Sequence, residues 1–204
     1  MGDLPRVPNI LRRQLDQMEW VDPRRVLVNV RWVETKLPRA MDERTRRLRT
    51  HDLRKWHEAR HAALFAFGIA DKVLKRQVWV SKAQDRDFDF VMRWQVDEAD
   101  FFFFGQLKEL PPEDLNSDVT LEDILGKLEK YSGDHDLSVV VALNRQAMIP
   151  LEPWSRSWRP RIKELWYMGC ESPDLSRWFV YGSVLSNNPR KYEFRYPEGE
   201  QPPA

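Results

Sequence analysis

The sequence contains a single cysteine, Cys170. One thiol cannot form an internal disulfide bond, and it cannot build a zinc site that needs several thiolates. The sequence also lacks any run of about 20 apolar residues that could span a bilayer. Its first residues, MGDLPRVPNILRRQ, lack the apolar stretch of a signal peptide. We therefore expect a cytoplasmic protein that does not bind a membrane.

A large net charge is also absent, because 33 lysines and arginines almost balance 32 aspartates and glutamates. No global field would therefore attract nucleic acid. The balance is broken between Lys36 and Lys55, where eight basic residues stand against three acidic ones. Such a segment binds phosphates or forms a solvated basic face, and the sequence leaves both interpretations open. The candidate nucleic-acid-binding residues are Arg44, Arg46, Arg47, Arg49 and Lys55.

The spacing of apolar residues predicts an α/β protein. A short N-terminal helix and a β-rich segment at 24–36 precede the basic segment. A helix at 52–72 then leads into strands at 77–83, 88–95 and 101–110, a helix at 120–132 and a strand at 137–144. Thr120 and Asp123 have the spacing of a helix-capping pair, and Gly133 is the expected stop. The last two strands should be parallel through a right-handed crossover, and the two before the crossover should form an antiparallel hairpin.

This order divides the chain into four parts. We expect an N-terminal extension with the basic segment at 1–50 and a core at 51–145. Further strands at 146–196 should pack on that core, and residues 197–204 are expected to form a disordered tail.

The stretch HEARH, from His57 to His61, has the spacing of a zinc-protease motif. On a helix, two histidines four residues apart share one face and can hold a metal, with Glu58 as the general base. Three observations oppose this minor alternative, a zinc hydrolase. Basic residues flank the histidines, the extended form of the motif fails at Leu64 and Phe67, and strands rather than a helix follow. We therefore interpret the two histidines as surface residues.

The predicted hairpin places polar side chains together. If the strands pair symmetrically about the loop 96–99, Asp89 lies opposite Gln106, and Asp87 lies opposite Lys108. Alternation then puts these four on one face, with Phe88 and Phe90 on the other. A β-bulge would shift this register by one residue. Carboxylate and amide oxygens suit Mg²⁺, and an ammonium can stabilise charge on a phosphoryl group. The alternative is a structural ion pair between Asp87 and Lys108.

The cluster and the order of elements resemble the PD-(D/E)XK nuclease superfamily. The resemblance covers residues 50–145 and implies a restriction-endonuclease-like core: helix, three strands, helix, strand, with a mixed central sheet flanked by helices and additional C-terminal strands. Asp89 stands for the Asp of the signature, and QLK, Gln106 to Lys108, stands for its (Asp/Glu)-x-Lys as in Mrr-like enzymes. Glu58 resembles the glutamate that the family often adds from its first helix. The proline of the signature is absent, since Phe88 precedes Asp89.

The resemblance implies a nuclease that uses Mg²⁺ or Mn²⁺, with DNA as the expected substrate. The catalytic residues would be Lys108, Asp89, Gln106 and Glu58, with Asp87 as an auxiliary. The metal ligands would be Asp89, Gln106 and Glu58. The alternative is a catalytically inactive, nuclease-like module that binds nucleic acid or protein. A homodimer is a candidate assembly.

Overall fold

The computed structural model shows a seven-stranded mixed sheet with helices against it. It describes residues 14–36, 41–42, 45, 49–50, 53–83, 88–130, 137–149, 162–186 and 188–199. The helices are α1 (Pro23–Lys36), α2 (Arg54–Gly68) and α3 (Leu121–Gly126), with a π-helical turn at Ile69–Leu74 and a 3₁₀ turn at Lys127–Lys130. The strands are β1 (Trp79–Lys82), β2 (Phe90–Val96), β3 (Ala99–Leu110), β4 (Leu137–Leu143), β5 (Glu164–Cys170), β6 (Arg177–Gly182) and β7 (Arg190–Arg195).

The segment predicted to be β-rich, 24–36, is helix α1, so that prediction was wrong. The Asp22 carboxylate accepts a hydrogen bond of 2.8 Å from the Arg24 amide at the start of the helix. Pro23 occupies the first helical position, where its missing N–H costs nothing. Leu27 and Val30 are fully buried three residues apart, so packing on one helical face outweighs the β preference of the valines.

The strands follow one another across the sheet in chain order. The pairs β1–β2 and β2–β3 are antiparallel, β3–β4 and β4–β5 are parallel, and β5–β6 and β6–β7 are antiparallel. The predicted hairpin and the predicted parallel pair are confirmed. The three C-terminal strands extend the same sheet beyond β4.

Each face of the sheet carries a hydrophobic core. Helix α2 packs on one face, where Phe65 contacts Phe90, Phe103 and Trp166. Helix α3 packs on the other. All seven residues of β4 are buried, as expected for a strand covered on both sides. The capping pair is also confirmed, because the Thr120 and Asp123 side chains each bond the other's backbone N–H.

The described C-terminal residues, 197–199, lie next to α1. Arg24 donates a hydrogen bond of 2.9 Å to the Glu198 carbonyl. Residues 200–204, the remainder of the predicted tail, and the predicted helix stop Gly133 lie outside the described residues. Among the described helices, none is long and apolar enough to cross a membrane.

Close packing of β2 on β3 depends on a missing side chain at Gly105. A Cβ atom there would lie 2.2 Å from the Phe90 ring, and Phe90 is only 1% exposed. The ring cannot move aside without disturbing the core that it shares with Phe65 and Phe103.

We expect Gly105→Ala to lower the free energy of unfolding by about 1–3 kcal/mol, the usual cost of overpacking a core. Urea denaturation of the variant and the wild type measures this. Gly126→Ala is the matched control, since its Cβ would meet nothing within 4 Å, and alanine favours helix. Equal losses in the two variants would contradict the packing argument.

Candidate active site

The hairpin pairs in the predicted register and then departs from it at Asp89. Opposed residues run from Val96 and Ala99 at the turn to Phe90 and Gly105 at the far end. The Asp89 N–H then donates 2.8 Å to the Gly105 carbonyl, so Asp89 and Phe90 both lie opposite Gly105. Two residues against one is the arrangement of a β-bulge.

The bulge redirects the side chains that precede β2. Phe90 packs in the core under α2, whereas Phe88 packs in the core under α3. The prediction that these two phenylalanines share one face was therefore wrong, because alternation holds only along an unbroken ladder.

The carboxylate of Asp89 is fixed by two donors from β3. Its Oδ2 accepts hydrogen bonds from the Gln106 amide and, at 2.7 Å, from the Leu107 backbone N–H. Gln106 is 8% exposed, so its amide is held in place by the surrounding protein. The other carboxylate oxygen of Asp89, Oδ1, takes part in neither of these two bonds.

Asp89 lines a cavity of about 650 Å³ between α2, the start of β2 and the N-terminal segment. Its charged residues, among those the structure describes, are Glu19, Glu58, Asp89 and Lys82. Three carboxylates against one ammonium give the cavity a negative potential, which favours cations.

Glu58 reaches this cavity from α2 and is paired with two cations. Arg54 Nε lies 3.0 Å from Oε1, and Lys82 Nζ lies 3.0 Å from Oε2. Partial burial alone would raise the pKa of Glu58, but the hydrogen bonds and charges of Lys82 and Arg54 outweigh it and lower the pKa. Glu58 is therefore ionised at neutral pH.

The structure brings together part of the predicted site. Glu58 and Asp89 line one cavity, whereas Gln106 donates a hydrogen bond to Asp89 but is not among the described residues that line the cavity. Lys108 lies opposite Val141 of β4 and is not among the described residues that line the cavity. Its catalytic role stays a prediction, and Asp87 lies outside the described residues.

Lys82 is the residue that sequence reasoning missed. It ends β1 directly opposite Phe90, the first residue of β2, which Asp89 immediately precedes. The sequence did predict the strand that contains Lys82. Because the end of that strand pairs with the start of β2, its last residue must lie near Asp89.

His57 and His61 contact a second cleft of about 1390 Å³, which Glu58 does not line. The prediction that they are surface residues was wrong, because His61 is 6% exposed and the His57 side chain 12%. Their rings meet edge to face with centroids 4.4 Å apart. Glu58 therefore faces a different cavity from the histidine pair, which gives no support to a zinc-protease arrangement.

Both histidines are neutral at physiological pH. Burial lowers the pKa of His57 to about 4, and the nearby Glu109 carboxylate only partly opposes this. Burial also lowers the pKa of His61, with further contributions from His57 and Arg60. The 3.7 Å approach of His57 Nε2 to Glu109 Oε1 is therefore a contact of a neutral ring, not an ion pair.

The described part of the basic segment does not form a simple phosphate-binding face. Both terminal nitrogens of Arg49 donate hydrogen bonds to the Glu109 carboxylate in a partly buried pair, whereas Lys55 is exposed. Arg44, Arg46 and Arg47 lie outside the described residues. Nucleic-acid binding by these residues stays a prediction.

The side chains that line the cavity decide which metal ion could bind there. In the described ranges, no group of three or more His, Cys, Asp or Glu side chains is arranged to hold an ion. Mg²⁺ commonly needs only one or two carboxylates, because it keeps several of its waters. The hard oxygen donors of Asp89 and Glu58 fit that mode of binding.

Comparison of the chain with protein-family models, with curated proteins and with solved structures finds no match in any of the three. Any assignment of family or function therefore rests on the residues and geometry described above.

The buried histidines predict a pH-dependent stability. The unfolded chain binds a proton at His57 near its ordinary pKa of 6.5, whereas the native state binds it only near 4. Stability should thus be complete above about pH 6.5 and decline as the pH falls towards 4, by on the order of 3 kcal/mol for this residue.

Urea denaturation at pH 7, 6 and 5 measures this decline. His57→Gln removes one titrating ring, so its free energy of unfolding should fall less steeply with pH than that of the wild type. Parallel slopes for the two proteins would contradict the burial argument.

Proposed function

We propose that the protein is a metal-dependent nuclease that hydrolyses phosphodiester bonds, with DNA as the expected substrate. One observation carries the proposal: the Asp89 carboxylate is held by Gln106 and Leu107 on the wall of an acidic cavity that Glu58 also lines. One or two carboxylates that face the same cavity can bind Mg²⁺, because the ion keeps several of its waters.

The arrangement of elements supports a restriction-endonuclease-like core within the sheet. Helix α2 is followed by β1, β2 and β3, then by α3 and β4, and β3 and β4 are parallel. This is the order that the resemblance implies. Strands β5 to β7 are the additional C-terminal strands.

Asp89 and Glu58 would hold Mg²⁺ or Mn²⁺, with the Gln106 carbonyl as a third oxygen donor. Once bound, the ion would polarise a phosphoryl oxygen and lower the pKa of a bound water. The charge of the cavity favours this order of binding, because its three carboxylates outnumber the two cations that pair with Glu58 and so repel an anionic phosphate until a further cation binds.

Each residue of the proposed site has a separate task. Gln106 and the Leu107 N–H keep the Asp89 carboxylate in one orientation. Glu58, ionised at neutral pH, supplies the second negative charge. Lys108 is the proposed donor to the charge that develops on the phosphoryl group. The basic segment would contact the nucleic-acid backbone.

A catalytically inactive module is the second candidate, and one observation favours it. Both oxygens of Glu58 are already paired with cations, so the charge of Glu58 can be balanced without a metal. Binding of nucleic acid or protein would then be the whole function.

Purified protein should be incubated with plasmid and with single-stranded DNA, in Mg²⁺, in Mn²⁺ and in EDTA. The nuclease proposal predicts cleavage only with a metal. Asp89→Asn keeps an oxygen acceptor for the Leu107 N–H but removes the charge, so cleavage and Mn²⁺ binding should both be lost. Asp71→Asn, in the π-helical turn, is the matched control.

Lys108→Ala should lower the cleavage rate by about 10²-fold or more, the scale for deleting a transition-state donor, while metal binding survives. Lys127→Ala, at an exposed position after α3, should have no effect. An inactive module predicts no cleavage under any metal. Cleavage that is unchanged in Lys108→Ala would show that Lys108 is not catalytic.

A further inference from the structure

Lys82 lines the candidate cavity from β1, which pairs with the edge of β2 that faces away from β3. The ladder with β2 places it opposite Phe90, and the bridge between Val21 and Val80 fixes β1 from its other edge. Its ammonium lies 3.0 Å from Glu58 Oε2. The side chain is 51% exposed, so the amine can leave this contact without unfolding the strand.

Any metal ion that enters the cavity must therefore compete with Lys82 and Arg54 for the Glu58 carboxylate. Half-exposed ion pairs of this kind contribute little free energy. A divalent ion beside Asp89 carries twice the charge of an ammonium and therefore competes effectively for the Glu58 carboxylate. Loss of that contact would leave the Lys82 ammonium beside the metal site without its carboxylate partner.

We propose that Lys82 is a substrate-binding lysine. Its amine pairs with Glu58 in the metal-free protein, and it binds the phosphodiester once Glu58 coordinates the metal. The inference rests on the proposed nuclease function and extends it. Of the described residues that line the cavity, Lys82 is the one cation. It is therefore the group best placed to receive a phosphate oxygen there.

The proposal predicts opposite effects on metal and substrate. Lys82→Gln removes a competitor for Glu58, so Mn²⁺ should bind more tightly, by about two- to five-fold for a weak pair. The same variant lacks the phosphate contact, so it should bind DNA more weakly in Ca²⁺ and cleave it at least about ten-fold more slowly in Mg²⁺. A lysine with a purely structural role would not tighten metal binding while weakening catalysis.

The experiment uses the full chain. Calorimetric titration with Mn²⁺ measures the metal affinity. DNA binding in Ca²⁺ and DNA cleavage in Mg²⁺ measure the effect on substrate. Lys82→Arg keeps the charge and should resemble the wild type in metal affinity. Arg54→Gln should also tighten Mn²⁺ binding, because it frees the other Glu58 oxygen. Lys127→Gln should change nothing, and thermal unfolding verifies that each variant is folded.

The outcomes separate this inference from the proposed function. Failure of the wild type to bind Mn²⁺ would overturn both. Mn²⁺ binding that depends on Asp89 but is unchanged or weakened in Lys82→Gln would overturn the inference alone. Tighter Mn²⁺ binding with unaltered DNA cleavage would also overturn it, because Lys82 would then not touch the substrate.

Discussion

The candidate site depends on the hydrogen bonds that the Asp89 carboxylate accepts from β3. At the bulge, β2 no longer offers the Leu107 N–H a regular backbone partner, and Asp89 Oδ2 accepts that bond instead. The same oxygen binds the buried Gln106 amide. The carboxylate therefore completes the sheet and is fixed by it. Its position beside the cavity follows from the fold, as does the packing of Phe88 and Phe90 on opposite faces.

Helix α2 carries an ionised glutamate towards one cavity and two neutral histidines towards another. Glu58 faces the acidic cavity, where Lys82 and Arg54 keep it ionised. His57 and His61 face the second cleft, where burial keeps both rings neutral. Adjacent positions on a helix point about 100° apart, so His57 and Glu58 belong to different sites although they are neighbours in sequence. The spacing of a zinc motif is therefore present without its geometry.

Local chemistry made most of the sheet predictable from sequence. Strand β3 is apolar at successive positions, which predicts a covered strand, and Thr120 with Asp123 marks the helix that crosses between β3 and β4. The hairpin register follows from its short turn at Asp97 and Glu98. Other features depend on tertiary contacts that a pattern does not contain. The valines of α1 favour a strand, and only the burial of Leu27 and Val30 on one face shows that the segment is a helix. The buried histidines and the approach of Lys82 to Glu58 depend likewise on how elements distant in sequence pack together.

The proposed function requires that the cavity beside the bulge binds a metal ion. Anomalous diffraction from crystals grown or soaked in Mn²⁺ tests it most directly, because the signal locates the ion independently of any activity. We expect a peak in the cavity, coordinated by Asp89 and Glu58, with Lys82 moved away from Glu58. A peak between His57 and His61, or an empty cavity at Mn²⁺ concentrations that occupy other sites, would contradict it.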